Sequence, residues 1–300
     1  MRHISITGSL GSGKSVVSAR LKQLLNMEIE SIGSIQRKTA QKYGMTTIEF
    51  NKYMETHHEI DAELDAFVEK EGRNKIPKIF DSRLAWHFVP NSLKVYLYTD
   101  EQIAAERIFK DRQRIGEGYL TWEDTLESIK ARRNSEILRY KNQYGLDLEQ
   151  LSNYDIVLDT GHTTIEENAK LLKKVYESPD GRMAHLWLSP KTLKPTEGCR
   201  EYGLSYMSGI KREFTKLENY QKTPVDVIFY NNHFFIFDGH KRVLNSLTIG
   251  LHLLPCRLVN NSKEFRLFGS QTVESYIKDH CTHIVNADWE DTFDNILNAK

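Results

Sequence analysis

Ile4-Ser5-Ile6-Thr7-Gly8-Ser9-Leu10-Gly11-Ser12-Gly13-Lys14-Ser15 decides how this chain folds. Its last eight residues fit the pattern G-x-x-x-x-G-K-[ST], its first four read as a short strand, and Val16 to Leu25 reads as a helix. Strand, glycine-rich turn and helix in that order make a phosphate cradle. Gly8, Gly11 and Gly13 let successive backbone N–H groups of the Gly8-Ser9-Leu10-Gly11-Ser12-Gly13 turn point inward at phosphate oxygens, and the helix adds its positive N-terminal dipole. In this pattern Lys14 reaches the β- and γ-phosphates, and Ser15 ligates Mg2+. ATP with Mg2+ is therefore the expected pair at this loop.

Around the loop, composition narrows the class of protein. Three hundred residues exceed one typical domain and predict about two. Lysine plus arginine number 41 and so do aspartate plus glutamate, which argues against a bulk nucleic-acid binder. Apolar content of 39% with 10% aromatics suffices for packed cores. No segment approaches the roughly 18 apolar residues of a membrane span, and the N-terminus lacks a signal-peptide stretch, so a cytoplasmic protein without membrane partners is expected. Cys199, Cys256 and Cys281 are odd in number and widely spaced, which reads as free thiols rather than a disulfide framework or a zinc site.

The first half alternates strand and helix patterns, the signature of an α/β fold with a parallel sheet. Strands are predicted over 2–7, 28–31, 78–81, 94–98 and 155–159. Helices are predicted over 14–25, 34–43, 47–56, 60–71, 101–115, 121–145 and 165–176, with the pair inside 47–71 forming an acceptor-binding flap. Ser178-Pro179-Asp180-Gly181 breaks this rhythm and sets a domain boundary near residue 180. Beyond it, 225–230 and 233–237 around Asn231-Asn232 read as a β-hairpin, followed by Asp238-Gly239-His240, a helix over 241–249 and a strand over 254–259.

The second substrate of a triphosphate site must be read from other residues, and arginines are the guide because a planar guanidinium grips phosphate as a fork. Arg37 follows Ser31-Ile32-Gly33-Ser34 just past the second strand, and Arg83 follows Asp81-Ser82 at the end of the third. Ligands in open α/β sheets bind at the carboxyl ends of strands. Arg107, Lys110, Arg112 and Arg114, then a Gly116–Gly118 loop, then Lys130, Arg132, Arg133 and Arg139, look like a lid of two helices closing over the transferring phosphates. Arg132, Glu136 and Arg139 project from one helix face. The carboxylate there either orients the two arginines or accepts hydrogen bonds from a base or ribose.

Here a resemblance becomes specific. Gly8–Ser15, the 31–37 segment ending in Arg37, Gly44-Met45-Thr46 with Glu49-Phe50-Asn51, Ile60-Asp61, Asp81-Ser82-Arg83-Leu84-Ala85-Trp86, Ala105-Glu106-Arg107-Ile108 and Arg132…Ser135-Glu136…Arg139-Tyr140…Tyr144-Gly145-Leu146-Asp147 occur in order. This string resembles the compact cytidylate kinases of the archaeal type and covers essentially residues 1–176. The resemblance implies a three-layer P-loop NTPase-type fold for residues 1–178 and ATP-dependent phosphorylation of a nucleoside monophosphate, CMP or dCMP. It places Arg37, Arg83, Arg132 and Arg139 around the acceptor and lid; with the loop, the expected catalytic residues are Lys14, Arg107, Arg112, Arg132 and Arg139, and the expected acceptor residues Ser31, Gly33, Arg37, Asp81, Arg83, Arg132, Glu136 and Arg139. The family reads Glu-Gly-Arg-Leu-Ala-Gly-Trp at the third strand where this chain has Asp81 to Trp86, which predicts an acceptor pocket of altered shape.

Residues 183–300 contain Lys194-Pro195-Thr196-Glu197 and Phe235-Ile236-Phe237-Asp238-Gly239-His240-Lys241-Arg242. These resemble the smaller α+β domain shared by ParB-like proteins, sulfiredoxin and a free-serine kinase. The resemblance implies a second anion site of Glu197, Asp238, Gly239, His240 and Arg242 for a nucleotide or phosphorylated ligand. No cysteine occupies the turn, which argues against reductase chemistry, and no helix-turn-helix follows to support a DNA role. Two alternatives stand beside a cytidylate kinase: a P-loop kinase for another small acceptor, including free serine at the second domain, and a nucleotide-sensing regulatory protein.

Overall fold

The structure is a computed structural model that describes residues 2–111, 121–178, 185–199, 204–260, 266–267 and 269–298. The chain divides into two compact units, residues 1–181 and 182–300. Among the described residues no helix is long and apolar enough to cross a membrane.

In the first unit β1 (Ile4–Gly8), α1 (Lys14–Leu25), β2 (Glu28–Ser31), α2 (Ile32–Lys42), α3 (Thr47–Met54), α4 (His58–Gly72), β3 (Lys78–Asp81), α5 (Ala85–Phe88) and β4 (Leu93–Tyr98) follow one another. Then come α6 (Glu101–Lys110), α7 (Trp122–Tyr144), β5 (Ile156–Asp159) and α8 (Ile165–Glu177). The strands lie in the order β2-β3-β1-β4-β5, all parallel. A parallel sheet covered by helices buries both faces, and Ile4, Ile6, Ile79, Phe80, Val95, Leu97, Ile156 and Leu158 accordingly have no exposed surface. Helices α1 and α8 pack on each other, and Val17 and Leu21 of the one and Ala169 and Leu172 of the other are buried. Helices α2 to α4 have their own small core of Ala40, Phe50 and Met54, with Ile60 and Leu64 packed against it.

Local chemistry fixes the helix starts. Thr46, Thr121 and Thr164 each accept from the third helical N–H while Glu49, Asp124 and Glu167 return the bond, so three helices begin with a capping box. Ser31 caps α2 by accepting from Ser34 N, which starts that helix two residues before the predicted Ser34. The helix predicted over 101–115 ends at Lys110, and residues 112–115 lie outside the described residues.

The second unit holds β6 (Leu186–Leu188), α9 (Leu204–Glu213), α10 (Leu217–Lys222), β7 (Val225–Tyr230), β8 (His233–Asp238), α11 (His240–Thr248) and β9 (Leu254–Leu258). It ends in β10 (Arg266–Leu267), β11 (Gln271–Thr272), α12 (Val273–His280) and α13 (His283–Asn298). Its strands run β6-β9-β7-β8, with β7 parallel to β9 and the other pairs antiparallel. Asn231 and Asn232, at φ 46° and 63°, make the tight hairpin turn between β7 and β8. Lys194 pairs with the β8 backbone, donating to Phe234 O and accepting from Ile236 N, which brings Thr196-Glu197 beside the start of α11.

Candidate active site

Parallel strands in register put their carboxyl ends on one edge: Ser31 lies beside Asp81, Asp81 beside Ile6, and Gly8 beside Leu97. The phosphate loop rises from that edge. A Cβ on Gly8, whose φ is 148°, would stand 2.1 Å from the Leu97 carbonyl oxygen, so only glycine lets β1 and β4 close together here. Gly13 caps α1 at φ 77°, in the left-handed region that turns the backbone into the helix. Ser12 Oγ donates to Ser9 O at 2.7 Å and Thr160 Oγ1 to Ser12 O at 2.9 Å, fixing the loop from both sides.

Three groups of the loop and its rim then meet. Lys14 Nζ donates to the carbonyls of Gly8 and Ser9, each at 3.2 Å. Burial of that ammonium, reinforced by the Arg83 guanidinium, pushes it down to about 7. Ser15 Oγ donates to Asp81 Oδ2 at 3.0 Å, and Ser31 Oγ reaches the same oxygen at 3.4 Å. Asp81 thus faces the loop serine, where the resemblance implied an acceptor contact.

The arginines come from two elements. Arg83 is set by its own backbone, whose carbonyl accepts from Thr7 Oγ1 at 3.2 Å and Trp86 Nε1 at 3.1 Å. Its side chain donates to Gly8 O and places Nε 2.9 Å from Glu136 Oε2. Arg132, one turn before Glu136 on α7, donates Nε to Oε1 at 3.2 Å. Burial works against the Glu136 charge, but Arg83, then Arg132 and Arg139, outweigh it and hold the carboxyl below its usual value. Arg139 is itself buried, with Nε 3.3 Å from Asp61 Oδ2 and Nη2 on the Tyr140 hydroxyl at 3.1 Å.

Other predicted residues stand apart. Arg37 is exposed on α2, with Nη2 on Ser34 Oγ at 3.3 Å, and Gly33 precedes it on the same helix. Arg107, predicted as a lid cation, donates to Thr160 O at 2.6 Å, Gly161 O at 3.1 Å and Gly11 O at 3.4 Å. Through those carbonyls it ties the phosphate loop to the turn after β5. Arg112 and the Gly116–Gly118 loop lie outside the described residues. Sequence reasoning gave no role to Asp61, which meets Arg139, or to Asp65, whose Oδ2 accepts from the Tyr144 hydroxyl at 2.6 Å. Burial pushes Asp65 up to about 6 despite that bond. The signal was the spacing of Asp61 and Asp65, one turn apart on α4, which taken alone reads as a solvated face.

In the second unit Gly239 caps α11 at φ 106° and His240 is its first residue. His240 Nε2 accepts from Thr196 N at 3.0 Å, its Nδ1 lies 3.3 Å from Glu197 Oε1, and the Trp289 ring stands edge-on 5.7 Å away. Burial pushes this imidazole down to about 4, so it is neutral. Arg242, predicted at the anion site, turns its guanidinium inward. Its Nη1 donates to the carbonyls of Thr223 and Pro224 at 2.7 Å each, and Nη2 to Asp238 Oδ2 at 2.5 Å. With 8% of its surface exposed, it braces the turn.

Known proteins give the first unit a family. The AAA domain family matches residues 4–137. The cytidylate kinase of Thermoplasma volcanium is 34% identical over 173 residues, 56% of this chain and 88% of that enzyme. That of Methanosarcina barkeri is 31% identical over 178 residues, 58% of this chain and 96% of that enzyme. An S-adenosylmethionine-dependent nucleotide dehydratase of Lacinutrix mariniflava is 32% identical over 194 residues, 61% of this chain, but the chain spans only 39% of that protein. With such identity over nearly the full length of the kinases, and with a phosphate loop and arginine cluster on one sheet edge, the chain belongs to the cytidylate kinase family.

Proposed function

We propose that the first unit transfers the γ-phosphoryl group of ATP to a nucleoside monophosphate, with CMP or dCMP as the acceptor. One observation carries this reading: Arg83 and Arg132, from separate elements, converge on one buried carboxylate at the mouth of the phosphate loop beside Lys14. A cationic pocket there suits a second phosphate facing the γ-phosphate. The acceptor oxygen is already anionic, so the protein's work is alignment and charge neutralisation rather than proton abstraction. Lys14 would leave the Gly8 and Ser9 carbonyls for the β- and γ-phosphates, and the arginines would hold the acceptor phosphate in line.

Mg2+ fits the same edge. Ser15 Oγ and the Asp81 carboxylate, 3.0 Å apart, are hard oxygen donors of the kind that hold this ion together with substrate phosphates. When bound, the ion neutralises charge shared between the β- and γ-phosphates. On this reading Asp81 serves the donor side, and the shortened acid of the Asp81–Trp86 segment bears less on which base is accepted.

For the second unit we keep the proposal of a ParB/sulfiredoxin-like module binding a nucleotide or phosphorylated ligand. The start of α11 with Glu197 and His240 is its support, and Trp289 Nε1, buried without a hydrogen-bond partner among the described residues, adds a donor nearby. The test for both units is acceptor profiling with ATP·Mg2+ against CMP, dCMP, UMP, AMP and free serine, with Lys14→Ala as control. CMP or dCMP turnover lost in Lys14→Ala supports the kinase reading. ATP bound but no acceptor phosphorylated would refute it in favour of a nucleotide sensor.

A further inference from the structure

We infer that Glu136 is a built-in counter-anion of the acceptor-phosphate site: it occupies the arginine grip while no acceptor is bound and gives it up to the incoming phosphate. This rests on the acceptor-site reading above and adds how that site is kept when empty. Both Glu136 oxygens are engaged, Oε2 by Arg83 Nε at 2.9 Å and Oε1 by Arg132 Nε at 3.2 Å. Two guanidinium N–H groups on two oxygens of one anion is the same arrangement by which arginines hold a phosphate. Glu136 is 9% exposed, and its charge is felt by Lys14 and Arg139 as well as by its two direct partners.

The reason such a residue is needed is electrostatic. Three guanidinium cations, with the Lys14 amine beside them, have lost much of their water around one point, and such a cluster left without an anion is strongly disfavoured. Glu136 offsets that cost in the empty enzyme. The other cations of the pocket show the same arrangement: Lys14 rests on the Gly8 and Ser9 carbonyls, and Arg83 reaches Gly8 O as well as Glu136. Every one of these internal acceptors is a group that a phosphate oxygen replaces. Because Glu136 and Arg132 lie one turn apart on α7, the carboxylate can leave by side-chain rotation with the helix backbone unmoved.

An exchange of anions has a consequence that a permanent structural ion pair lacks. A carboxylate competing for the grip weakens phosphate binding, so neutralising it must strengthen that binding. The experiment loads the full-length chain with Mg2+ and a non-hydrolysable ATP analogue, which fills the phosphate loop, and titrates inorganic phosphate at pH 8 by calorimetry. Glu136→Gln is expected to bind phosphate about tenfold more tightly than the wild type, the low end of couplings measured for close charge pairs. Glu136→Asp, which keeps the charge but withdraws it by one methylene, is expected to tighten binding a few-fold, and it carries the test should the glutamine variant fold poorly. Phosphate binding that is equal or weaker in both variants, with the wild type binding measurably, overturns the counter-anion role. Absence of binding in the wild type and both variants removes the acceptor-site reading itself, and the inference with it.

Discussion

Lys14 offers the most direct measurement of the pocket's electrostatics. Burial, with Arg83 adding to it, brings its ammonium to about 7. The group is then about half protonated at pH 7 and only about one-tenth protonated at pH 8. A triphosphate entering the loop places several negative oxygens on that nitrogen and raises its affinity for a proton well above either pH. Binding of ATP·Mg2+ should therefore take up about half a proton at pH 7, about nine-tenths at pH 8, and close to none at pH 6. Calorimetry at pH 8, where ATP is already fully ionised, in Tris and in HEPES reads this as the slope of binding enthalpy against buffer ionisation enthalpy. Lys14→Arg supplies the baseline, since arginine stays charged throughout. Arg83→Gln removes the second cause of the depression and should lower the uptake at pH 8. Equal slopes for the wild type and Lys14→Arg would refute the reasoning, because the lysine would then be charged before ATP arrives.

Three further outcomes follow from single contacts. Gly8→Ala places a methyl 2.1 Å from the Leu97 carbonyl and should cost at least about 3 kcal/mol of stability, read as a lowered urea midpoint, with ATP binding lost alongside. Asp65 titrates at about 6 in the folded state, above its unfolded value, so its contribution is fully present at low pH and lost as pH rises through 6. The melting temperature of the wild type relative to Asp65→Asn should therefore fall between pH 5 and pH 7, and a pH-independent difference would contradict the burial of that carboxyl. His240, depressed to about 4, should show a ring C–H resonance that does not move between pH 8 and pH 5.5, and acidification from 6.5 toward 4 should selectively destabilise the second unit as its unfolded imidazole gains the proton first.

The phosphate loop was legible in the sequence because its chemistry is local: one strand, three glycines, one lysine and one helix start specify it without help from distant residues. The Arg132–Glu136 pair was legible for the same reason, since residues four apart on a helix share a face. Arg83 completes that pair from 49 or more positions away, and its place could be guessed only because parallel strands put their carboxyl ends together. The contacts of Arg107 were not legible, for the opposite reason. A helix arginine beside a glycine loop reads as a lid residue, yet the carbonyls it meets belong to the turn after β5, and no spacing rule connects position 107 with 160 and 161. Asp61 and Asp65 were hidden in a polar helix pattern, and it took contacts from α7 to turn solvated acids into a buried one and a half-buried one.

The two units also show why an arginine just past a strand-end aspartate is ambiguous. Arg83 and Arg242 both follow a strand end that carries an aspartate, and both are largely enclosed. What separates them is the partner each guanidinium finds. Arg242 spends one nitrogen on two carbonyls that α10 and β7 leave at their junction and another on Asp238, the residue that ends its own strand, so its charge is consumed by the turn that positions it. Arg83 meets one loop carbonyl and a carboxylate from a different element. A guanidinium bound by backbone that the fold cannot move is a brace. One bound by a side chain that can rotate away is free to change partners, and among the two it is Arg83 that has such a partner, Glu136.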